Sequence, residues 1–356
     1  MRELKIGKNE ANQRADKFLK KYLDKATTSF LYKMMRKKNI TLNDKKMSGN
    51  EKLCEGDSIK IYFSEETIQK FSVENQTQET VLSDISEQDS TYIKILQNII
   101  YEDDNIILLN KPAGILSQKA QKNDKSVNEY LIYYMLKNGQ ISEQDFKTFK
   151  PSICNRLDRN TSGLIIFGKT LDALQTFSDL LKERDLHKYY LCIVKGEMKH
   201  SDKISGYLKK DSNTNKVTVL KDLKYLKEVS DIKNPANNEE TEYSRIETEY
   251  VPISTNGTYT LLMVLLITGK THQIRAHLSS IGHPLIGDTK YGDNRINTYF
   301  KQKYGLKHQL LHSCQLQFAD VKGALSYFSN KEFFAKPDER FHRIIQEEKL
   351  NLKTEI

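Results

Sequence analysis

The sequence predicts an α+β protein built from two parts of unequal size. In residues 1–63, apolar positions recur first at the spacing of helices and then at the alternating spacing of strands. In residues 93–325, apolar runs of strand length are separated by amphipathic helices and polar turns. Between them, residues 64–92 are polar, acidic and poor in aromatic residues, which is typical of a linker. A chain of 356 residues is long enough for two domains, one of them with a large core.

The first part begins with two predicted helices, because apolar residues recur at helical spacing in residues 16–23 and again in residues 28–36. Residues 40–46 are predicted to be a strand that runs into an Asn-Asp turn. Gly56-Asp57 opens a second strand, in which apolar and polar residues alternate as far as Phe63. The second helix and its end carry four cations: Lys33, Arg36, Lys37 and Lys38. Such a group is either a surface for a polyanion or a solvated helix face.

The larger part alternates predicted strands and helices. In chain order these are a strand at 105–110, a helix containing Ala173, Phe177 and Leu180, and strands at 189–194 and 259–267. Residues 209–240 are rich in turn-forming residues and are predicted to be turns and an exposed excursion. Residues 326–356 are a C-terminal tail that we leave unassigned.

The charge is unevenly distributed along the chain. The formal net charge is +9 and the isoelectric point is near 9.0, which favours a polyanionic partner. Residues 1–63 carry 16 Lys and Arg against 8 Asp and Glu, whereas residues 64–96 carry 2 against 7. The positive excess therefore belongs largely to the first part.

Several classes of protein are disfavoured by composition. The four cysteines form no C-x-x-C pair, which indicates neither a zinc knuckle nor a disulfide framework and fits a reducing compartment. No apolar stretch reaches the roughly 18 residues of a transmembrane helix, and the N-terminus lacks the apolar core of a signal peptide. We expect a soluble, cytoplasmic monomer without a membrane partner.

The most informative segment is residues 154–163, with the sequence CNRLDRNTSG. If its backbone is extended, side chains two apart share a face about 6.5 to 7 Å from each other. Arg156 and Asp158 then face one cleft while Leu157 points inward. Turn-forming residues after Asp158 lead into a buried apolar run, which would give the carboxylate a rigid mount. On chemistry alone, a surface ion pair is the simpler interpretation.

This segment resembles the R-L-D-x-x-T-S-G signature of the RluA family of pseudouridine synthases. Further matching segments occur in the family's order: NKPAG at 110–114, KYYLCIVKG at 188–196, GKTHQIRAHL at 269–278 and GDTKYG at 287–292. A smaller match is LHS at 311–313. Several motifs in order are far more specific than any one of them.

The resemblance implies a catalytic domain with a central mixed, mainly antiparallel β-sheet flanked by helices. It implies that Asp158 is the catalytic residue, that Arg275 is its basic partner and that Tyr190 stacks on the uracil. Asp158 would act either as a nucleophile at the anomeric carbon or as the base that removes the neighbouring sugar proton. The reaction is an isomerisation, so we expect no cofactor and no metal.

The resemblance also implies an RNA partner. A uridine in folded RNA must leave its stack to reach Asp158, and Arg156 could fill the space it leaves or hold a phosphate. Lys111 is expected to contact phosphate as well, although a lysine in a surface turn is an almost equal alternative. The first part resembles an S-four-like RNA-binding domain, with the basic second helix as its contact surface. Ribosomal RNA of the large subunit is the expected substrate, and tRNA is an alternative.

Two departures from the family pattern concern the neighbours of the catalytic segment. Position 155 is Asn where many relatives have His, and residues 116–119 lack a His that some members have.

Three other functions are alternatives to an RNA pseudouridine synthase. A non-catalytic RNA-binding protein is disfavoured by the joint presence of Asp158, Tyr190 and Arg275. The others are a metal-dependent hydrolase using His272, His277 and His283, whose spacing is wrong for one helical face, and a glycosidase using Glu102, Asp103 and Asp104.

Overall fold

The structure is a computed structural model that describes residues 1–7, 9–72, 85–141, 146, 148–211, 216–220 and 243–351. Its first part contains β1 (Arg2–Lys5), α1 (Ala15–Tyr22), α2 (Thr28–Arg36), β2 (Ile40–Leu42), β3 (Lys45–Lys46), β4 (Ser58–Ile61) and α3 (Glu65–Phe71). The four strands form one antiparallel sheet in the order β1-β4-β2-β3. Asn43 and Asp44 have φ values of 49° and 61°, so the predicted Asn-Asp turn joins β2 to β3.

The helices of the first part cover one core. Phe18 and Leu19 of α1 and Leu31 and Met35 of α2 are buried in it, at the helical spacing that the sequence shows. Ile68 of α3 is 2% exposed in the same core. The compact part therefore continues through α3, beyond residue 63, and part of the expected linker is helical. The rest of that linker lies partly outside the described residues.

The larger part is organised around a second sheet. Its elements are α4 (Ser90–Leu96), β5 (Ile99–Glu102), β6 (Ile106–Lys111), α5 (Val127–Lys137), β7 (Ser152–Ile153), β8 (Ser162–Gly168), α6 (Leu171–Glu183), β9 (Leu186–Lys195), β10 (Asp202–Lys210), β11 (Val217–Leu220), β12 (Tyr243–Thr255), β13 (Tyr259–Leu266), α7 (Gln273–Ser280), α8 (Asn294–Tyr304), β14 (Leu311–Phe318), a 3₁₀ helix (Gly323–Phe328), β15 (Glu332–Phe334) and α9 (Glu339–Glu347). Within the described ranges, none of the helices is long and apolar enough to cross a membrane.

The strands of this sheet follow the order β11-β10-β12-β13-β9-β14-β8-β6-β5, with β15 beside β14 and β7 beside β8. The β8–β14 pair is parallel and the other strand pairs of the described sheet are antiparallel. This confirms the predicted mixed, mainly antiparallel sheet. The predicted excursion at 209–240 lies mostly outside the described residues, although its described parts include the end of β10 and all of β11.

Both faces of the sheet are covered, which explains its continuous apolar runs. On β6, Ile107 and Leu109 face the cluster that contains α4 and α5, while Ile106 and Leu108 face the cluster that contains α6. Successive side chains of a strand point to opposite faces, so a run of four apolar residues is required when helices cover both.

The unassigned C-terminal tail belongs to the core of the larger part. Phe341, Ile344 and Ile345 of α9 are buried in one cluster with Phe300 of α8 and apolar residues of β9 and β13. Their i, i+3, i+4 spacing gives α9 one apolar side. The segment therefore covers the face of the sheet opposite α7.

A close strand crossing fixes the end of the segment at 154–163. Gly163 of β8 has a φ of 113°, and a Cβ there would lie 2.2 Å from the backbone oxygen of Ser313 on β14. Only glycine allows this approach. Beside it, Ser162 Oγ and His312 Nδ1 are 2.8 Å apart, which joins the same two strands through side chains.

Candidate active site

Residues 154–158 lead into a turn at 159–160, and their side chains alternate in burial as the sequence predicts. Leu157 is 7% exposed and packs in the core under the sheet, whereas Arg156 is exposed and Asp158 keeps 28% of its side chain exposed. Arg156 and Asp158 both line one cleft of about 650 Å³. The segment thus presents the two polar residues on one side.

Two polar side chains hold this segment in place: Ser117, which lies outside the segment, and Asn155, which belongs to it. Ser117 Oγ donates to the carbonyl oxygen of Leu157 at 2.7 Å and accepts from the amide nitrogen of Leu157 at 3.1 Å. Asn155 donates to the carbonyl oxygen of Leu164 at 3.1 Å and accepts from the amide of Ile166 at 2.8 Å. Asn155 stands where many family members have His, and Ser117 lies in the segment 116–119 that lacks a His found in some members; both side chains support the backbone in this chain.

Lys111 is a third support, and its position corrects the expectation of a phosphate contact. The side chain is fully buried, and Nζ donates to the carbonyl oxygens of Pro112 at 2.9 Å, Ile115 at 2.8 Å and Arg159 at 3.0 Å. Burial lowers the pKa of Lys111 to about 7, opposed by the charge of Asp158. An ammonium with all three donors engaged inside the protein cannot reach RNA, so Lys111 braces the turn after Asp158 instead.

Asp158 forms an ion pair with Arg275 of α7. Arg275 Nη1 donates to Asp158 Oδ2 at 2.9 Å, so the structure brings these two predicted residues together. Arg275 also binds Asp288 through Nε at 2.7 Å and Nη2 at 3.0 Å. Asp288 is fully buried and additionally accepts the amide protons of Lys290 and Tyr291.

The electrostatics around Arg275 favour the ionised forms of both Arg275 and Asp288. Burial alone lowers the pKa of Arg275, but the hydrogen bonds and charges of Asp288 and Asp158 outweigh it and raise that pKa. Burial raises the pKa of Asp288, and Arg275 outweighs it and holds the pKa below its usual range. The guanidinium is therefore a permanent positive charge at the carboxylate of Asp158.

His272 and Tyr291 complete the wall around this ion pair. His272 precedes α7 with a φ of 54°, its Nδ1 lies 3.0 Å from the Tyr291 hydroxyl, and its Nε2 lies 3.8 Å from Asp158 Oδ2. Arg275 lies over the Tyr291 ring, 5.3 Å from the centroid. Burial lowers the pKa of His272, and the neighbouring charges of Arg275 and Lys290 add to this against the pull of Asp158.

Tyr190 lies in the same cleft on β9. It is 5% exposed and burial raises its pKa, so its hydroxyl stays protonated. Tyr189 belongs to the opposite face of the strand, where it packs with the cluster that contains α8 and α9. The predicted separation of the two tyrosines is therefore present.

The remaining predicted contacts lie on exposed surfaces. Arg156 is exposed at the cleft. The four cations of the basic helix are also exposed, on α2 and the turn that follows it: Lys33, Arg36, Lys37 and Lys38. In the described part of the chain their side chains are exposed, so a polyanion can reach them.

The alternative metal site is not assembled among the described residues. His277 Nδ1 lies 3.0 Å from Thr248 Oγ1 and His283 Nδ1 lies 2.9 Å from the carbonyl oxygen of Lys195, while His272 faces the cleft. The three histidines contact three different elements, and the described ranges contain no group of three His, Cys, Asp or Glu side chains arranged for a metal.

The acidic residues proposed for a glycosidase also have other partners. Glu102 pairs with Lys169 at 2.9 Å, and Asp103 accepts the amide protons of Asn105 and Ile106. Neither lines the cleft. They form the polar turn before β6.

Sequence reasoning missed two residues that shape the site. Asp288 lies in the quoted motif at 287–292, thirteen residues after Arg275, but it received no role. A buried arginine with one exposed carboxylate partner calls for a second acceptor, which is the signal that could have found it. Ser117 gave no signal, because a serine in a turn is common.

Comparisons with known proteins point to one family. Residues 105–280 match the family model described as RNA pseudouridylate synthase. Ribosomal large subunit pseudouridine synthase C of Vibrio vulnificus is 30% identical over 319 residues, which cover 88% of this chain and 87% of that protein. An RNA pseudouridine synthase of Mycoplasma genitalium is 31% identical over 351 residues, which cover 96% and 98%.

The fold is shared with a solved structure as well. Human RNA Pseudouridylate Synthase Domain Containing 4 superimposes with a TM-score of 0.54 at 20% identity, covering 74% of this chain and 97% of that one. Fold, site and relatives together define an RNA-modifying isomerase. The chain belongs to the RNA pseudouridine synthase family, which confirms the family predicted from the motifs.

Proposed function

We propose that Asp158 is the catalytic carboxylate of this RNA pseudouridine synthase and that its target uridine lies in ribosomal RNA of the large subunit. The observation that carries the catalytic assignment is the ion pair of Asp158 with Arg275, 2.9 Å long, inside a cleft that also holds Tyr190. A carboxylate that is partly exposed to the cleft and fixed from behind can approach the anomeric carbon of a bound nucleotide.

The reaction requires such a group. The bond between the anomeric carbon and uracil N1 breaks, the base turns, and a bond forms from the same carbon to C5, whose proton leaves to solvent while N1 gains one. Asp158 acts either by attacking the anomeric carbon or by removing the neighbouring sugar proton, and both roles need the ionised form. Arg275 Nη1 places a positive charge 2.9 Å from the Asp158 carboxylate oxygen.

The detached uracil needs a surface to lie on while it turns. An aromatic ring stacks on a base with about 1 to 3 kcal/mol and without preference for one edge, which suits a base that rotates. Tyr190 provides this ring at the cleft wall. Arg156, exposed at the same cleft, is the residue we expect to enter the space that the uridine leaves in the RNA stack.

The substrate assignment rests on relatives and on charge. Relatives of similar length are named ribosomal large subunit pseudouridine synthase C. The first part of the chain, with its exposed cations on α2, is proposed to be an S-four-like RNA-binding unit that adds affinity for a large folded RNA. A tRNA substrate is the alternative, and mapping pseudouridines in total RNA from cells with and without the gene distinguishes the two.

The catalytic proposal is tested by replacing Asp158. Asp158→Asn and Asp158→Ala should abolish tritium release from RNA labelled at uridine C5, while the melting temperature and RNA affinity stay close to those of the unchanged protein. Asp104→Asn, at an exposed carboxylate of another turn, is the matched control and should keep full turnover. Turnover above about a hundredth of the unchanged enzyme in both Asp158 variants would exclude Asp158 as the essential group and leave an RNA-binding role for the cleft.

A further inference from the structure

Lys188 lies in the cleft on the same strand and the same side as Tyr190. The two residues are separated by one position of β9, so their Cα atoms are about 6.5 to 7 Å apart. Lys188 is half-buried, and its Nζ lies 3.6 Å from the position that a Cβ on Gly269 would take. The ammonium therefore stands at the cleft wall beside the loop that leads to α7.

This ammonium has no partner within the described ranges. No carboxylate, carbonyl or hydroxyl of the residues that the structure describes lies within hydrogen-bond distance of Nζ, and burial alone lowers the pKa of Lys188. A half-buried charge without a counter-ion costs folding free energy, because part of its hydration is lost and nothing replaces it.

The buried cations elsewhere in the described molecule are all compensated. Lys111 donates to three carbonyl oxygens, Lys169 binds Glu102 and the carbonyl oxygen of Asp103, and Arg275 binds two carboxylates. Lys188 differs from these cations because it has no such partner among the described residues, and it lies inside the substrate cleft. Such a departure is expected where the missing partner arrives with a ligand.

The chemistry of that partner follows from the surroundings. Asp158 is the one carboxylate among the described residues that line the cleft, and Arg275 already pairs with it. Two exposed lysines, Lys210 and Lys270, line the same cleft, and Lys270 follows Gly269, beside which Lys188 Nζ lies. A uracil carbonyl is neutral and would leave the lysine charges uncompensated, whereas a backbone phosphate is an anion and occurs at every nucleotide of the substrate.

We propose that Lys188 binds a backbone phosphate of the RNA strand that carries the target uridine, while the uracil of that uridine lies on Tyr190. The proposal rests on the function proposed above. It makes Lys188 the centre of a phosphate subsite to which Lys210 and Lys270 add charge. The subsite fixes the strand along β9 and so sets the position of the sugar relative to Asp158.

Salt-dependent binding of a single-stranded probe tests the proposal without any turnover. A fluorescently labelled uridine decamer is titrated with the unchanged protein and with Lys188→Met at several salt concentrations. One lost phosphate contact should flatten the slope of log affinity against log salt by about 0.7. Lys188→Arg, which keeps the charge, should restore most of that slope.

Two further measurements separate a binding role from a structural one. Lys188→Met should melt at the same temperature as the unchanged protein or a higher one, because it removes an uncompensated charge. Lys195→Met is the matched control on the same strand, since Lys195 is paired with Asp293 at 2.7 Å outside the cleft, and its slope should not change. Turnover on target RNA should fall about tenfold to a hundredfold for Lys188→Met.

An unchanged slope for Lys188→Met, or no binding of the decamer by the unchanged protein, would overturn the phosphate subsite. A lower melting temperature together with an unchanged slope would make Lys188 a structural residue. Failure of the catalytic proposal is read separately, from turnover by the Asp158 variants, because the slope measurement does not depend on catalysis.

Discussion

Asp288 holds Arg275 by two hydrogen bonds, of 2.7 and 3.0 Å, and leaves the third side of the guanidinium for Asp158. Asp288 is itself fixed by the amides of the turn that follows α7, so the arginine cannot turn away from the cleft. A charge that is fixed before the substrate binds does not have to reorient during the reaction. Electrostatic catalysis is most effective when the charges are preorganised in this way.

Asp288→Asn should therefore slow the chemical step although Asp288 does not reach the cleft. The asparagine side chain has one oxygen acceptor and one NH₂ donor where Asp288 has two oxygen acceptors. One hydrogen bond from Arg275 is therefore lost, and the NH₂ group faces an N–H group of the guanidinium. We expect kcat to fall about tenfold to a hundredfold with a small change in KM, and the protein to be less stable. Single-turnover rates below the melting transition measure this. Asp293→Asn, at a surface carboxylate that begins α8, is the control and should leave kcat unchanged.

Arg275→Ala should cost far more activity than Tyr190→Phe. Phenylalanine keeps the ring on which the uracil stacks, whereas nothing replaces the positive charge between Asp158 and Asp288. Removing one partner of a largely buried pair costs on the order of 3 to 5 kcal/mol, a few hundredfold or more in rate. The single-turnover rate at saturating enzyme is the measurement. Equal and small losses in both variants would show that the charge of Arg275 contributes little to catalysis.

Periodicity predicted the elements that have strong local patterns. Helix α6 and strands β6, β9 and β13 were found because their apolar residues follow the spacing of a covered helix or a strand buried on both faces. Strand β1 was missed, since four residues at a sheet edge carry almost no pattern. Helix α9 was left unassigned although its apolar spacing was readable.

The site was predictable only in its motif residues. The motifs gave Asp158, Tyr190 and Arg275, and the structure brings all three to one cleft. The predicted phosphate contact of Lys111 was wrong because the burial of this lysine depends on how the turns at 112–115 and 159 close over it. This is a property of the tertiary structure and leaves no local sequence pattern. The pairing of Asp288 with Arg275 was likewise not predicted, because it depends on the path of the chain between α7 and α8.

Ser117→Ala should lower kcat by loosening the segment that carries Asp158. The serine hydroxyl bonds both the amide and the carbonyl of Leu157, one residue before the carboxylate. Its loss should cost about 1 to 3 kcal/mol of stability, because two buried backbone groups lose their partner. Displacement of Asp158 by a fraction of an ångström should also reduce the rate, by about tenfold or more.

A matched control exists elsewhere in the chain. Ser329 bonds the amide of Val321 at 2.9 Å and its carbonyl at 3.1 Å in the same manner, and neither residue lines the cleft. Ser329→Ala should therefore destabilise the protein by a similar amount without changing kcat at a temperature where both variants are folded. If the two variants lose activity equally, the effect of Ser117 is on stability alone.

Lys111→Met should destabilise the protein, and more strongly as the pH rises. Burial places the pKa of Lys111 at about 7 when folded, below the value of roughly 10.4 in an unfolded chain. Between these values the unfolded state binds the extra proton, so the lysine protein gains stability with rising pH and the methionine protein lacks this gain. Urea titrations at about pH 6.5 and about pH 9 should show the deficit growing by about 1 to 3 kcal/mol. A constant deficit would mean that Lys111 keeps its ordinary pKa; the exposed Lys94→Met serves as the control.

The basic helix should contribute affinity for a large RNA through charge. Its four cations are exposed and no carboxylate in the described ranges pairs with them, so replacing Lys33, Arg36, Lys37 and Lys38 by Gln should leave the fold intact. Each phosphate contact contributes about 0.7 to 0.9 to the slope of log affinity against log salt, so three or four lost contacts should flatten it by roughly 2 to 3. Titrations with large-subunit ribosomal RNA at several salt concentrations measure the slope. A variant with Arg at the three lysine positions keeps the charge and should keep the slope, whereas an unchanged slope in the Gln variant would show that α2 is only a solvated face.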